Sequence, residues 1–264
     1  MGPILMLGAG RMGGALIAGW RRAAAFPMDR LMIRDPQAGP EAMAAVAEGA
    51  VLDPAPEAIA AARIVILAVK PQIWREAVGG LAAGLAAEAV IISVAAGVGS
   101  GAISEAFGGR AVARIMPTTA AAIGQGTASL FATHSHAAAA ARDLFSSVGA
   151  VVELADEELV HAATAVSGSA PAYLYALGEA LEAAGVAAGL EASAARSLAR
   201  TTLTGAAALL AEGQAEPAEL RRQVTSPGGT TQAALEVLMG ADGLGPLLEK
   251  AVAAAARRSR ELGG

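Results

Sequence analysis

Six residues near the start, Gly8-Ala-Gly10-Arg-Met-Gly13, lie between an apolar run, Pro3–Leu7, and a helical pattern from about residue 11. Glycines so placed, where a strand turns into a helix, specify a βα unit. The first takes the tight turn, the second lets a ligand approach the backbone, and the third lets the helix pack closely. Free N–H groups at the helix start then suit a pyrophosphate, which makes Gly8, Gly10, Arg11, Met12 and Gly13 candidate dinucleotide contacts. The motif alone says little in a chain with 32 Gly; the strand before, the helix after and Asp35, 22 positions beyond Gly13, give it weight. A carboxylate at the end of strand two accepts from the ribose 2′-OH and repels a 2′-phosphate, whereas Arg does the opposite. This chain has both, as Arg34-Asp35, and the spacing favours Asp35, a slight lean to NADH over NADPH.

Up to about residue 153, short apolar runs alternate with Ala-rich helical stretches. Strands are expected at Pro3–Leu7, Leu31–Ile33, Arg63–Ala68, Ala89–Val94, Ala111–Ile115, Ala128–Phe131 and Val151–Glu153. Helices are expected at Met12–Ala24, Glu41–Glu48, Ile73–Leu85 and Ala137–Ser147. This alternation implies a mostly parallel sheet covered on both faces, an α/β Rossmann-type domain over residues 1–155. Residues 156–264 read as helices alone, with breaks near Ser167–Pro171, Gly185–Gly189, Gly213–Pro217, Pro227–Gly229 and Gly240–Gly245.

Composition removes whole classes. With 55% hydrophobic and 16% charged residues the chain is not disordered. Aromatic residues are 3%, so Ala, Val, Ile and Leu must fill the core, and helices from a second subunit are expected to help complete it. No Cys and three His argue against disulfides, thiol chemistry and most zinc sites. A net charge of −5 argues against nucleic acid. No basic n-region precedes Pro3–Leu7, and the uncharged stretch Ile115–Ala141 carries Pro117 and Gln125, so neither a leader nor a membrane span is expected. The expected location is the cytoplasm.

In the helical half, Pro227-Gly228-Gly229 breaks the chain before a helix from about Thr231 to Leu238. Thr230 or Thr231 can cap it, and neither Glu nor Gln stands three positions beyond either residue. Its first N–H groups are therefore expected to be free for an external anion. Lys70-Pro71 follows a strand and belongs at the carboxyl ends of the sheet, where ligands bind.

Several runs together resemble pyrroline-5-carboxylate reductase, the last enzyme of proline synthesis. They are Gly8–Gly13, Leu67-Ala-Val-Lys70-Pro71-Gln72, Ser93-Val-Ala-Ala-Gly97, Arg114-Ile-Met-Pro117, Thr164–Tyr173 and Val224-Thr-Ser226-Pro-Gly-Gly-Thr-Thr231. The resemblance implies hydride transfer from NADPH or NADH to the C=N carbon of 1-pyrroline-5-carboxylate. It implies that Ala68, Val69, Lys70, Pro71, Ala96, Met116, Pro117 and Thr118 line the cofactor groove. It further implies that Ser226, Gly228, Gly229, Thr230 and Thr231 hold the substrate, with Thr231 a proton relay to the ring nitrogen. Homodimers through the helical domain, in some members assembled into rings, are implied as well. Thr118 and Ala170 stand where the family commonly has Asn and Gly, and His161 where Asp is frequent. The chain has no Asn at all and 17 Arg to two Lys, so a compositional bias accounts for Thr118 as readily as altered chemistry does. Three alternatives stay open: a reductase of another cyclic imine, a hydroxyacid dehydrogenase of the same plan, and a non-catalytic dinucleotide-binding paralogue. The dehydrogenase needs a Lys on an interdomain helix, and the helical half offers Lys250, far down its last helix.

Overall fold

Branched apolar runs bounded by small or turn-forming residues form the strands of the computed structural model, which describes residues 2–262. They are β1 (Ile4–Leu7), β2 (Leu31–Arg34), β3 (Val51–Leu52), β4 (Ile64–Leu67), β5 (Val90–Ser93), β6 (Val112–Pro117), β7 (Gly126–Ala132) and β8 (Gly149–Glu153). The sheet runs β3-β2-β1-β4-β5-β6-β7-β8. Every pairing is parallel except the antiparallel β6–β7 ladder. From β1 the chain winds out to β2 and β3, then returns to β4 and winds the other way. The carboxyl ends of β1 and β4 therefore flank a topological switch point, the place where ligands bind in sheets of this kind.

Helices α1 (Arg11–Ala23), α2 (Pro40–Ala47), α3 (Pro56–Ala60), α4 (Trp74–Val78), α5 (Ser100–Ala106) and α6 (Ser135–Phe145) connect the strands. Side chains alternate across each strand, so the sheet supplies two cores. Ile4, Met6, Ile33, Ile66, Ile92 and Ile115 meet α1 and α6 on one face. Leu5, Leu7, Val65, Leu67, Ile91 and Val112 meet Trp74, Ile103 and Phe107 on the other. Trp20 fastens α1 to α6: its indole N–H donates to the Leu144 carbonyl at 3.1 Å, and its ring packs against Phe26 and Phe145.

Three local expectations change. Ile73–Leu85 is not one helix; Pro71 sets a 3-10 turn, α4 ends at Val78, and Gly80 at φ 77° breaks the chain before a second 3-10 turn, Ala82–Gly84. The strand β3 and the helices α3 and α5 are additional. Around Ser167–Pro171 the chain widens instead of stopping. After α7 (Leu159–Ala163), Thr164–Gly168 forms a π-helical turn that leads into α8 (Ala170–Ala187), whose first turn contains Pro171.

The helices continue with α9 (Ala192–Ala211), α10 (Pro217–Gln223), α11 (Thr230–Leu238) and α12 (Leu244–Glu261). Among the described residues the chain packs as two compact units: 2–168 with 254–262, and 169–253. In the second unit α8 buries none of its residues, and Leu174, Tyr175, Leu177 and Leu181 stay exposed along it. Leu198 and Leu209 on α9 and Val237 on α11 are exposed as well. Apolar faces of this extent mark a surface built to be covered.

Candidate active site

The glycine loop fits a pyrophosphate by construction. Gly8 has φ 92°, and a Cβ there would lie 2.9 Å from the Ala68 carbonyl oxygen and from Val69 Cγ1. Gly13 packs so tightly that a Cβ would lie 2.4 Å from the Gly8 carbonyl oxygen, holding the first turn of α1 against the loop. Gly10 is the opposite case, because a Cβ there would meet nothing within 4 Å. Its open side and the N–H groups of Gly10, Arg11 and Met12, which have no acceptor among the described residues, form a cradle for an anion. The residues present thus fit the dinucleotide that the motif implies.

The other candidate cofactor residues collect at the same edge of the sheet. Ala68, Val69, exposed Lys70 and Pro71 follow β4, and the Ala68 N–H donates to the Leu7 carbonyl at 2.8 Å. Ala96 lies in the turn after β5, where Ser93 Oγ accepts the Ala95 N–H at 3.2 Å. Met116 and Pro117 end β6, and buried Thr118 follows them. Thr118 is bonded to β7 on both sides: its N–H donates to the Thr127 carbonyl at 3.0 Å, and its hydroxyl accepts the Thr127 N–H at 3.1 Å. Arg34 is exposed at the end of β2, and Asp35 is half-buried beside it.

Behind this edge lies a charged cluster that the sequence reading missed. Arg114 sits on β6 between Ser93 of β5 and Phe131 of β7, with a side chain 2% exposed. Its Nη1 donates to Glu157 Oε1 at 2.7 Å, while Nε and Nη2 are buried without a partner among the described residues. Glu157 also accepts the Ser100 N–H and hydroxyl, both at 2.6 Å, and so caps α5 from a distant part of the chain. Burial pushes the Glu157 carboxyl up; the Ser100 hydroxyl and N–H and then Arg114 outweigh it and hold the group below its ordinary range. His161 Nδ1 lies 2.9 Å from Ser259 Oγ near the end of α12. Burial first, and the Arg114 charge second, hold this imidazole below its ordinary value. Its buried bond to a hydroxyl is a structural role.

In the second unit the loop before α11 differs from the expectation in one respect. The N-cap is Gly229, not a Thr, so Gln232 stands at the third helical position. Its Oε1 reaches back to accept the Gly228 N–H at 2.7 Å, and its Nε2 donates to Glu236 at 3.1 Å. Gly228 has φ 70°, which favours glycine, and a Cβ on Gly229 would lie 2.4 Å from Ser226 Oγ and displace that hydroxyl. The N–H groups of Thr230, Thr231 and Gln232 and the hydroxyls of both threonines have no partner among the described residues. An anion at this helix start would meet N–H groups and hydroxyls together, with Thr231 half-buried and Ser226 and Thr230 exposed.

Comparison with known proteins places this geometry. A family described as pyrroline-5-carboxylate reductase dimerisation matches residues 157–262, and one described as NADP oxidoreductase, coenzyme F420-dependent, matches residues 3–97. Pyrroline-5-carboxylate reductase of Pseudomonas aeruginosa is 41% identical over 98% of this chain and 96% of its own length. The chain belongs to the pyrroline-5-carboxylate reductase family. The Haemophilus influenzae reductase is 34% identical over 98% of this chain and 97% of its own. Among solved structures, the reductase of Coxiella burnetii superposes with a TM-score of 0.90 at 29% identity, covering 100% of this chain and 99% of that one. The Plasmodium falciparum reductase, with NADP bound, gives 0.84 at 25% identity over 99% of this chain and 98% of that one. The chain is thus an oxidoreductase with a nicotinamide-dinucleotide domain and a helical region of the dimerising type. No helix among the described residues is long and apolar enough to cross a membrane.

Proposed function

We propose that this pyrroline-5-carboxylate reductase family member converts 1-pyrroline-5-carboxylate to L-proline in the cytoplasm, with NADH or NADPH as reductant. The observation that carries the reading is the Ser226–Thr231 loop: a tight turn with Gly228 at positive φ and Gly229 close against Ser226, and N–H groups and hydroxyls free for a carboxylate. In this reading residues 1–155 hold the dinucleotide and 156–264 dimerise and carry the substrate loop, with larger rings built from dimers. Gly8, Gly10, Arg11, Met12 and Gly13 hold the pyrophosphate, and Ala68–Pro71, Ala96 and Met116–Thr118 line the groove beyond it. The nicotinamide, when bound, supplies hydride for the C=N carbon.

Gly228 and Gly229 shape the substrate loop, and Ser226, Thr230 and the free N–H groups at the start of α11 grip the carboxylate. The Thr231 hydroxyl orients the ring nitrogen, which gains one proton as its carbon gains hydride. A Thr hydroxyl is a poor acid, so the proton travels by way of water. Initial rates with 1-pyrroline-5-carboxylate and with 1-pyrroline, which lacks the carboxylate, test the reading. The imino acid is expected to give proline with a kcat/KM about 100-fold higher, the equivalent of about 3 kcal/mol of carboxylate recognition. Equal rates would remove the carboxylate role of the loop, and no turnover of the imino acid would remove the reaction.

A further inference from the structure

Spacing assigns Asp35 to the ribose, yet both of its carboxylate oxygens already hold backbone. Oδ2 accepts the Ala9 N–H at 2.6 Å, and Oδ1 accepts the Gln37 N–H at 2.8 Å in a turn over Pro36. Ala9 is the buried residue between the first two glycines of the loop. The same strand end grips the loop a second time, because Gly8 donates its N–H to the Arg34 carbonyl at 3.0 Å. Without Asp35 the buried Ala9 N–H would lose a charge-assisted acceptor, and the loop would lose its tie beside the open face of Gly10.

We propose that Asp35 is a positioning residue of the phosphate loop and does not decide between NADH and NADPH. By fixing Ala9 it sets Gly8 and Gly10 so that the free N–H groups at the start of α1 converge on the pyrophosphate. The pyrophosphate is common to both cofactors, so the contribution of Asp35 is common to both. The proposal rests on the dinucleotide reading of the first unit and not on the identity of the imine.

Cofactor binding by the full chain tests it without turnover. Asp35→Ala and Asp35→Asn are titrated with NADH and with NADPH by protein fluorescence, at a temperature where melting curves show each variant folded. Asp35→Ala is expected to weaken both cofactors about tenfold, with their affinity ratio changed less than about fivefold. Asp35→Asn, whose amide oxygen can still accept the Ala9 N–H, is expected to fall between it and the parent. An affinity ratio moved about fivefold or more towards NADPH would make Asp35 the ribose reader, and unchanged affinity for both would deny it any role; either result overturns the proposal. If Asp35→Ala does not fold, Asp35→Asn decides by the same criterion.

Discussion

Gly10→Ala is expected to leave the fold intact and to weaken NADPH and NADH binding by about 30-fold or more. A methyl group there meets no protein atom within 4 Å, and the backbone is already extended at φ −66°, so the melting temperature should stay within about 2 °C of the parent. In the proposed binding mode the same methyl occupies the space through which a pyrophosphate reaches the N–H groups of Gly10, Arg11 and Met12. Losing one or two charge-assisted hydrogen bonds costs about 2 kcal/mol or more, which sets the expected factor. Gly13→Ala makes the contrast, since its methyl lies 2.4 Å from the Gly8 carbonyl oxygen and must displace backbone. That variant is expected to lose stability as well as affinity. Calorimetric titration and thermal melting of the pair check both statements; parent-like affinity in Gly10→Ala would mean that the dinucleotide lies elsewhere.

Glu157→Ala carries the largest expected cost in stability. It leaves Arg114, with a side chain 2% exposed, as a buried cation with no carboxylate, and it removes the acceptor of the Ser100 N–H and hydroxyl. Breaking one side of a buried pair costs about 3–5 kcal/mol. The Glu157 side chain is itself 30% exposed, so the lower end of that range is expected. Replacing both partners, Arg114→Met with Glu157→Gln, removes the stranded charge and should recover most of the loss in a double-mutant cycle.

The pair also sets an acid limb. The folded Glu157 carboxyl lies below its ordinary range, so its stabilisation is complete above the unfolded pKa and is lost as pH falls through the folded one. The His161 imidazole is likewise held low. The unfolded chain therefore takes up its proton first, and stability starts to fall below about pH 6.5. Denaturant melts from pH 7 to about pH 3 should show a steady loss for the parent, and below about pH 4.5 a shallower one for Glu157→Ala. Identical slopes below about pH 4.5 would mean that Glu157 is not held low.

The nucleotide-binding half was the more legible one, for a physical reason. Strands such as Ile64–Leu67 and Val90–Ser93 are continuous branched runs, and their boundaries follow from Gly, Pro and Ala on either side. A two-residue strand such as Val51–Leu52 has too little pattern to show, and Ser100–Ala106 is hidden by the Gly97–Gly101 stretch before it. The helix expected over Ile73–Leu85 does not form as one element because Gly80 takes a positive φ, which helical spacing alone does not show.

At the site, the glycine loop and the crevice residues share one edge of the sheet because strand ends in this topology must. Asp35 was legible by position but not by partner, since spacing cannot show which backbone N–H a carboxylate will accept. The cap of α11 slipped by one residue, and with it the role of Gln232. Arg114 did leave a signal, a lone cation inside the apolar run Ala111–Ile115, but its partner is 43 residues away and nothing local points to it.

The fate of the hydride tests the proposed reaction at the reacting carbon itself. The protein is incubated with 1-pyrroline-5-carboxylate and with NADPH or NADH carrying deuterium at both positions of nicotinamide C4, and the product is analysed by mass spectrometry and NMR. The proposed reaction yields L-proline with a single deuterium on the former imine carbon. Folded protein that binds either cofactor and forms no proline, or proline labelled at any other carbon, would contradict it.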